Sequence, residues 1–398
     1  MRKPYRLVQV CAGVACNVST DTFTRESKDL IQVTIMLKTF SFRKFDYFLV
    51  ALVCALNYCG LIAVQNAAPD LYRKQLIGFG IGIILMLLVS VVDYHLVLRF
   101  YWILYAAAIV LLALVLLTGS SGGGAQRWIS LFGITFQPSE AAKILLILFF
   151  AQFIILFRDK FRLWQYLLVC IALIAVPVFL VFKEPDLSTS LMLLLIFCII
   201  MFTAGLEWQV IAAAAAVVIP AFIWILFQAT RGDSSVFSQY QRNRILAWLH
   251  PENFADTTAY QTTNSMMAIG SGGLYGKGVD GASSFLETGY ISESQTDFIF
   301  TVIGETFGFI GCCAVVILIL LITVKCFLIA ARAKDMQGRI IASGMGAWIG
   351  LQSFLNIGVA TGLLPNTGIP LPFVSYGLTS LVCLYAGIGF ILNVRMQE

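Results

Sequence analysis

Ten long apolar runs dominate this chain, and they leave few folds open to it. Their approximate limits are 46–64, 76–92, 96–117, 141–157, 165–182, 188–204, 207–227, 297–325, 340–363 and 375–394. A helix needs about 20 mostly apolar residues to cross a hydrocarbon core of about 30 Å, and a backbone in lipid must satisfy its own hydrogen bonds. The 398 residues are 59% hydrophobic and 12% charged, with a mean hydropathy of +0.88, which excludes an ordinary soluble domain. The expected fold class is all-α: a polytopic membrane protein with about ten transmembrane helices. A long extracytoplasmic loop, about 228–296, joins the seventh and eighth.

The net charge of +5 matters less than its distribution. If the segment before the first span is cytoplasmic, the inner connections receive Lys38, Arg43, Lys44, Arg158, Lys160, Arg162, Lys325, Arg332, Lys334, Arg339 and Arg395. Short outer connections hold only Arg73, Lys74, Arg127, Lys143 and Lys183. The positive-inside bias therefore predicts that both termini are cytoplasmic. Residues 1–36 do not match the rest; "RESKDLIQVT" is polar and aperiodic, while "LKTFSFRKFDYFLVALV" after Met36 reads as a basic lead-in to a first span. That extension is expected to be either a non-native gene-start artefact or a disordered tail, with the membrane domain occupying 37–398.

Cysteine and histidine usage narrows the chemistry. Eight of the ten cysteines lie in or beside apolar runs, where cysteine acts as a small hydrophobe, and there is no C-x-x-C. His95 and His250 are the only histidines, too few for a His-built zinc site or a Ser-His-Asp triad.

The polar motifs fall almost entirely on the outer connections. "GSSGGGAQRWISLFGITFQPSEAAK" carries Arg127, suited to bidentate phosphate binding, and places Glu140 and Lys143 one turn apart at a helix start. That pair reads equally as a helix-end stabiliser. "FKEPDLSTS" crowds Lys183, Glu184 and Asp186 into a short loop, with Asp186 either an N-cap or a site residue. "AIGSGGLYGKG" fails the phosphate-loop pattern, because Ser271 stands at the first glycine position and Gly278 where Ser or Thr should bind magnesium. Lys277 there is either near an anion or in a plain turn. "QYQRNRILAWLHPENF" is expected to form an interfacial helix with Trp248 and Leu249 on one side, Arg242 and Arg244 on the other.

"GYISESQTDFIFTVIGETFGFIG", 289–311, carries Glu293, Asp297 and Glu305 into an apolar helix, where their spacing would put them along one side. Ionisable groups inside a membrane usually face a polar cavity or a partner. Asp297 is a candidate general base or a simple helix cap; capping leaves Glu305 unexplained. Downstream, "GLLPNTGIPLPFVSYGLTS" holds three prolines that no regular helix accommodates, so irregular backbone is expected where it lines a cavity.

Together "GAQRWI…FQPSEAAK", "EPDLSTS", "AIGSGGLYGKG", "ESQTDFIFTVIGE" and "GIPLPFVSYG" resemble, in order, the SEDS family (shape, elongation, division, sporulation), RodA branch, over about residues 40–395. The resemblance implies a ten-helix glycosyltransferase that polymerises lipid II into glycan strands outside the membrane. It implies Asp297 as catalytic base, Glu140 and Lys143 as a charged pair in the substrate cavity, and Arg127 as the motif arginine. The layout of the outer connections itself suggests cations for the leaving group from Arg127, Lys143, Lys183 or Arg242, with Asp186, Lys277 and Glu305 as further candidate substrate contacts. A divalent cation, magnesium or manganese, is expected on carboxylates that the sequence leaves unidentified. Expected partners are lipid II, the nascent strand, a class B penicillin-binding protein transpeptidase and other elongation-complex membrane proteins, with no nucleic acid. The chain departs from the family's usual pattern at Glu184 and Ser188, and at Leu378 and Thr379. The alternative reading is a lipid II flippase or an ion-coupled transporter.

Overall fold

The computed structural model describes residues 42–398 apart from 123–124, 132–133, 158–162, 185, most of 207–238, 255–258 and 279–293. The expected N-terminal extension, and most of the seventh expected span, therefore lie outside the described residues. Among the described residues, eight helices are long and apolar enough to cross a membrane. They are α1 (Tyr47–Ala67), α2 (Pro69–Val91), α4 (Tyr101–Thr118), α5 (Pro138–Phe157), α6 (Leu163–Lys183), α10 (Ile299–Arg332), α11 (Met336–Ala360) and α12 (Leu378–Gln397). A shorter apolar helix, α7 (Leu187–Thr203), matches the sixth expected span. A five-residue helix, α3 (Tyr94–Leu98), sits between α2 and α4.

Two departures from the expected spans have simple causes. Helix α2 starts at Pro69, well before the apolar run at 76, because proline suits the first turn and the helix continues through Asp70, Arg73 and Lys74. Helix α10 starts only at Ile299, with Phe298 as its cap residue. Asp297 thus belongs to the preceding turn, and the expected helical stripe of Glu293, Asp297 and Glu305 does not form; Glu293 lies outside the described residues.

Helices α11 and α12 form the centre of the bundle: 78% and 83% of their apolar stretches are buried, against 17% for α4. Close packing of α2 on α12 depends on the absence of side chains at Gly78 and Gly82, where a Cβ would overlap Leu378 and Tyr385. This is the small-xxx-small contact of membrane helices, and it explains why Leu378 is accommodated at the start of α12.

Polar locks tie the helices together at the end where α1, α4, α6 and α11 begin, hereafter the first end. Asp46 caps α1 through the Leu49 amide and pairs with Lys325 of α10 at 2.8 Å. His95 bridges two carboxylates, Asp93 at 2.8 Å and Asp335 at 2.7 Å. Tyr94 donates to Asp335, Gln397 to Asp93, and Asn393 to the carbonyls of Ser90 and Val92. Hydrogen bonds to Asp335 and Asp93 push the imidazole up to about 9. Burial raises the Asp93 carboxyl, but the bonds from His95 and Gln397 outweigh it and carry it down to about 2.

The second end carries the irregular structure. A three-stranded antiparallel meander, β1 (Ser120–Gly122), β2 (Ala125–Leu131) and β3 (Ile134–Phe136), fills the connection from α4 to α5. The described part of the long loop contains helices α8 (Gln239–Leu249) and α9 (Tyr260–Ser271). Arg244 of α8 donates to the Asn366 carbonyl and Trp248 to the Gly362 carbonyl. Four residues apart, they lie on one face and hold one loop, which corrects the expected separation of Arg244 from Trp248.

Candidate active site at the second end of the bundle

Three sequence motifs converge on one buried charge pair. Lys143 of α5 has no exposed surface and donates to Glu140 at 2.5 Å and to the Gln352 side-chain oxygen of α11 at 2.8 Å. Its ammonium also lies 4.7 Å from the centre of the Trp348 ring, a cation–π arrangement. The other carboxylate oxygen of Glu140 accepts from Ser380, at the start of α12, at 3.0 Å. Asp186 caps α7 through the amide and hydroxyl of Thr189, both at 3.0 Å, and is close enough to act electrostatically on Lys143. The pair expected in an open substrate cavity is therefore enclosed, with a small apolar void formed by α5, α6 and α7 beside Lys143.

Asp297 is half-buried in the turn that leads into α10. Its segment is held by main-chain carbonyls: Gln295 accepts from the Tyr376 amide at 2.9 Å, Thr296 from the Ser375 hydroxyl at 2.6 Å, and Asp297 from the Asn356 amide at 2.7 Å. The loop 361–377, which supplies the first two of these bonds, is itself anchored by Asn57 on the Phe373 carbonyl and by Gln75 on that of Ser375. Phe373 adopts φ 62°, a strained conformation for a bulky residue, held by burial and by the Asn57 bond.

The glycine-rich stretch has a structural role. Residues 273–278 run against the start of α10, with Lys277 N–H donating to the Glu305 carbonyl, Gly278 N–H to Thr306, and Phe309 and Ile310 N–H to Gly273 and Leu274. A Cβ on Gly272, Gly276 or Gly308 would collide with the facing backbone. Gly308, at φ 66°, breaks α10 at this point. Lys277 pairs with the buried Glu305 carboxylate at 2.8 Å, so both residues clasp the loop to the helix.

The remaining expected site residues scatter around the second end. Lys183 ends α6, exposed, with its ammonium 5.5 Å from the Phe179 ring centre. Arg242 lies partly buried on α8, and Arg127 lies on β2, its side chain outside the described residues. No three His, Cys, Asp or Glu side chains converge to hold a metal among the described residues. Sequence reasoning missed Gln352, Asn356, Ser375 and Ser380. Their only sequence signal was polarity inside apolar runs or beside prolines.

Fold and site together define a polytopic helical membrane protein whose motif residues gather at one end. A model of the FtsW/RodA/SpoVE family, described as cell cycle protein, matches residues 38–398, and the chain belongs to that family. It is 39% identical over 277 residues to the peptidoglycan glycosyltransferase MrdB of Escherichia coli K12, covering 69% of this chain and 72% of the relative. It is 37% identical over 280 residues to the probable peptidoglycan glycosyltransferase FtsW of Enterococcus hirae, covering 69% of each. Among solved structures, the rod shape determining protein RodA of Thermus thermophilus superposes with a TM-score of 0.63 at 29% identity, over 88% of this chain and 96% of that one. A chain from a peptidoglycan synthase complex that coordinates polymerization and crosslinking gives 0.71 at 30% identity, over 88% and 97%.

Proposed function

We propose that this protein polymerises lipid II into glycan strands at the outer face of the cytoplasmic membrane, in the service of cell elongation and shape. The observation that carries the reading is the placement of the family's motif residues. Asp297, the Glu140–Lys143 pair and the proline-rich loop gather at the second end. At the first end Asp46, Asp93 and Asp335 are engaged in inter-helix locks, and Glu398 pairs with Arg395 three residues before it. A proton relay through the membrane would call for acids near mid-membrane as well as at its two sides; among the described residues the acids sit towards the two ends of the bundle and none at the middle of a span, which favours polymerisation over transport. The basic residues of the first-end connections support cytoplasmic termini and an extracytoplasmic site.

In this reading Asp297 takes the proton of the 4-hydroxyl on the acceptor N-acetylglucosamine. The oxygen attacks the anomeric carbon of the donor with inversion. The bond from that carbon to the pyrophosphate oxygen breaks, and undecaprenyl pyrophosphate departs with the electron pair. Arg127, Lys183 and Arg242, all on outer connections, supply positive charge for the pyrophosphate. Lys143 reaches it only by exchanging Glu140 for phosphate. The described residues gather no metal-holding cluster, so no residue here is assigned to a magnesium or manganese ion, which when bound would supply positive charge for the pyrophosphate, and no step depends on it. The likeness to a synthase complex supports a class B penicillin-binding protein as partner.

The test is polymerisation of purified lipid II by the full chain with its partner, products resolved on a gel, Asp297→Asn beside wild type. A glycan ladder from wild type alone is expected. Equal ladders would remove Asp297 from the chemistry. No ladder under any condition, with lipid II crossing liposome bilayers, would hand the case to a flippase.

A further inference from the structure

Asp297 stands in a turn, where no helix ladder or strand pairing fixes the peptide from which its carboxylate hangs. Its position depends on what holds that peptide. Asn356, on α11 and 1% exposed, gives its side-chain N–H₂ to two carbonyls, Asp297 and Ile369, each at 2.7 Å. One turn earlier on the same face, Gln352 gives its N–H₂ to the next carbonyl of the loop, Pro370, at 3.0 Å. The Gln352 oxygen accepts from Lys143 at 2.8 Å and from the Trp348 indole at 2.6 Å. Two amides four residues apart thus stitch adjacent loop carbonyls to one rigid helix. Through them, the peptide of Asp297 and the ammonium of Lys143 share a single frame.

The orientation of Asn356 is dictated, because a flipped amide would face its oxygen towards two carbonyl oxygens. In the observed orientation its buried side-chain oxygen has no hydrogen-bond partner among the described residues. With one proton on the Asp297 carbonyl and the other on the Ile369 carbonyl of the facing loop, the side chain fixes the Asp297 turn to that loop. Ser375 acts on the neighbouring peptide, accepting from Leu371 N–H at 2.7 Å and donating to the Thr296 carbonyl.

We infer that Asn356 is a positioning residue for the Asp297 carboxylate, with Ser375 as its counterpart on the preceding peptide and Gln352 linking the frame to Lys143. The inference rests on the reading of Asp297 as general base. A displacement of about 1 Å at a reacting group costs on the order of 100-fold in rate, without touching the groups that bind lipid II.

The experiment is steady-state lipid II polymerisation by the full chain with its partner, comparing wild type, Asn356→Ser, Ser375→Ala and Asp297→Asn. Folding is checked for each by its unfolding midpoint. Expected for Asn356→Ser is a kcat lower by about 10- to 100-fold with KM for lipid II within about threefold, since a lost transition-state geometry leaves ground-state binding intact. Ser375→Ala should show the same split, and it carries the test if Asn356→Ser does not fold, because it leaves α11 untouched. The inference is overturned if folded variants keep kcat within twofold of wild type, or if the fall in apparent kcat is no larger than the loss of folded protein, which by itself leaves KM unchanged. Wild-type activity in Asp297→Asn would sink the base assignment itself; an inactive Asp297→Asn beside a fully active Asn356→Ser would sink only the positioning role.

Discussion

Removing one member of the Glu140–Lys143 pair should cost far more than removing both. At an effective dielectric near 20, two unit charges about 3 Å apart attract by about 5.5 kcal/mol. Desolvating each ion costs several kcal/mol, so the intact pair is worth little against an apolar replacement. The single variants are different. Glu140→Gln leaves the ammonium of Lys143 wholly buried, with only Gln352 and the Trp348 ring as partners. Lys143→Met leaves the buried carboxylate of Glu140 with the Ser380 hydroxyl. Stranding a buried charge costs about 3–5 kcal/mol, and the remaining partners put Glu140→Gln at the lower figure. The double variant removes both charges and keeps the volume, so it should lie within about 1–2 kcal/mol of wild type, a coupling well beyond the usual pairwise range. Reversible unfolding in mixed micelles, followed by tryptophan fluorescence, measures all four corners of the cycle. Additive single effects would refute the reasoning, because they would mean that water or a mobile counter-ion already reaches the pair.

Two further outcomes follow from the packing of the ends. The His95 imidazole, pushed to about 9 from 6.5, should contribute stability that is complete below about pH 6.5 and lost as pH rises through 9. Thermal melts across pH 6–10 should show that decline in wild type and not in His95→Gln. Gly308→Ala should destabilise by roughly 1–3 kcal/mol or more, since φ 66° and the facing backbone of Leu274 and Gly276 both resist a side chain; an unchanged unfolding midpoint would show that the clasp of 273–278 on α10 is loose.

What was legible in the sequence was what local composition dictates. Apolar runs gave nine of the ten expected spans, and the proline cluster at 365–372 marked irregular backbone at the end of α11. The pair Glu140–Lys143 and the capping role of Asp186 were readable because both are contacts within one turn. Contacts between distant segments were not. Lys277 and Glu305 are 28 residues apart and were read as independent site residues, whereas their pairing fixes a glycine loop to a helix. Nothing local marks Gln352 or Asn356, which reach Lys143 and Asp297 only after the helices pack. The close approach of α2 to α12 was encoded in "GFGIG", whose first and last glycines are spaced for a helix–helix contact. Its partner residues, Leu378 and Tyr385, are visible only in the fold.

The distribution of polar side chains along α11 ties these points to one physical requirement. A loop with three prolines near membrane depth has carbonyls that neither helix nor lipid can satisfy. Donors must come from neighbouring helices, and Asn57, Gln75, Gln352 and Asn356 each supply one to this loop. Amides are suited to the task because they carry no charge into the bundle and leave an acceptor available. Gln352 uses that acceptor for Lys143. The same side chains that make irregular backbone tolerable thereby bring the charge pair and the Asp297 turn into one frame. A change at any of them should consequently be felt first in the geometry of the site, and only second in whether the helices assemble.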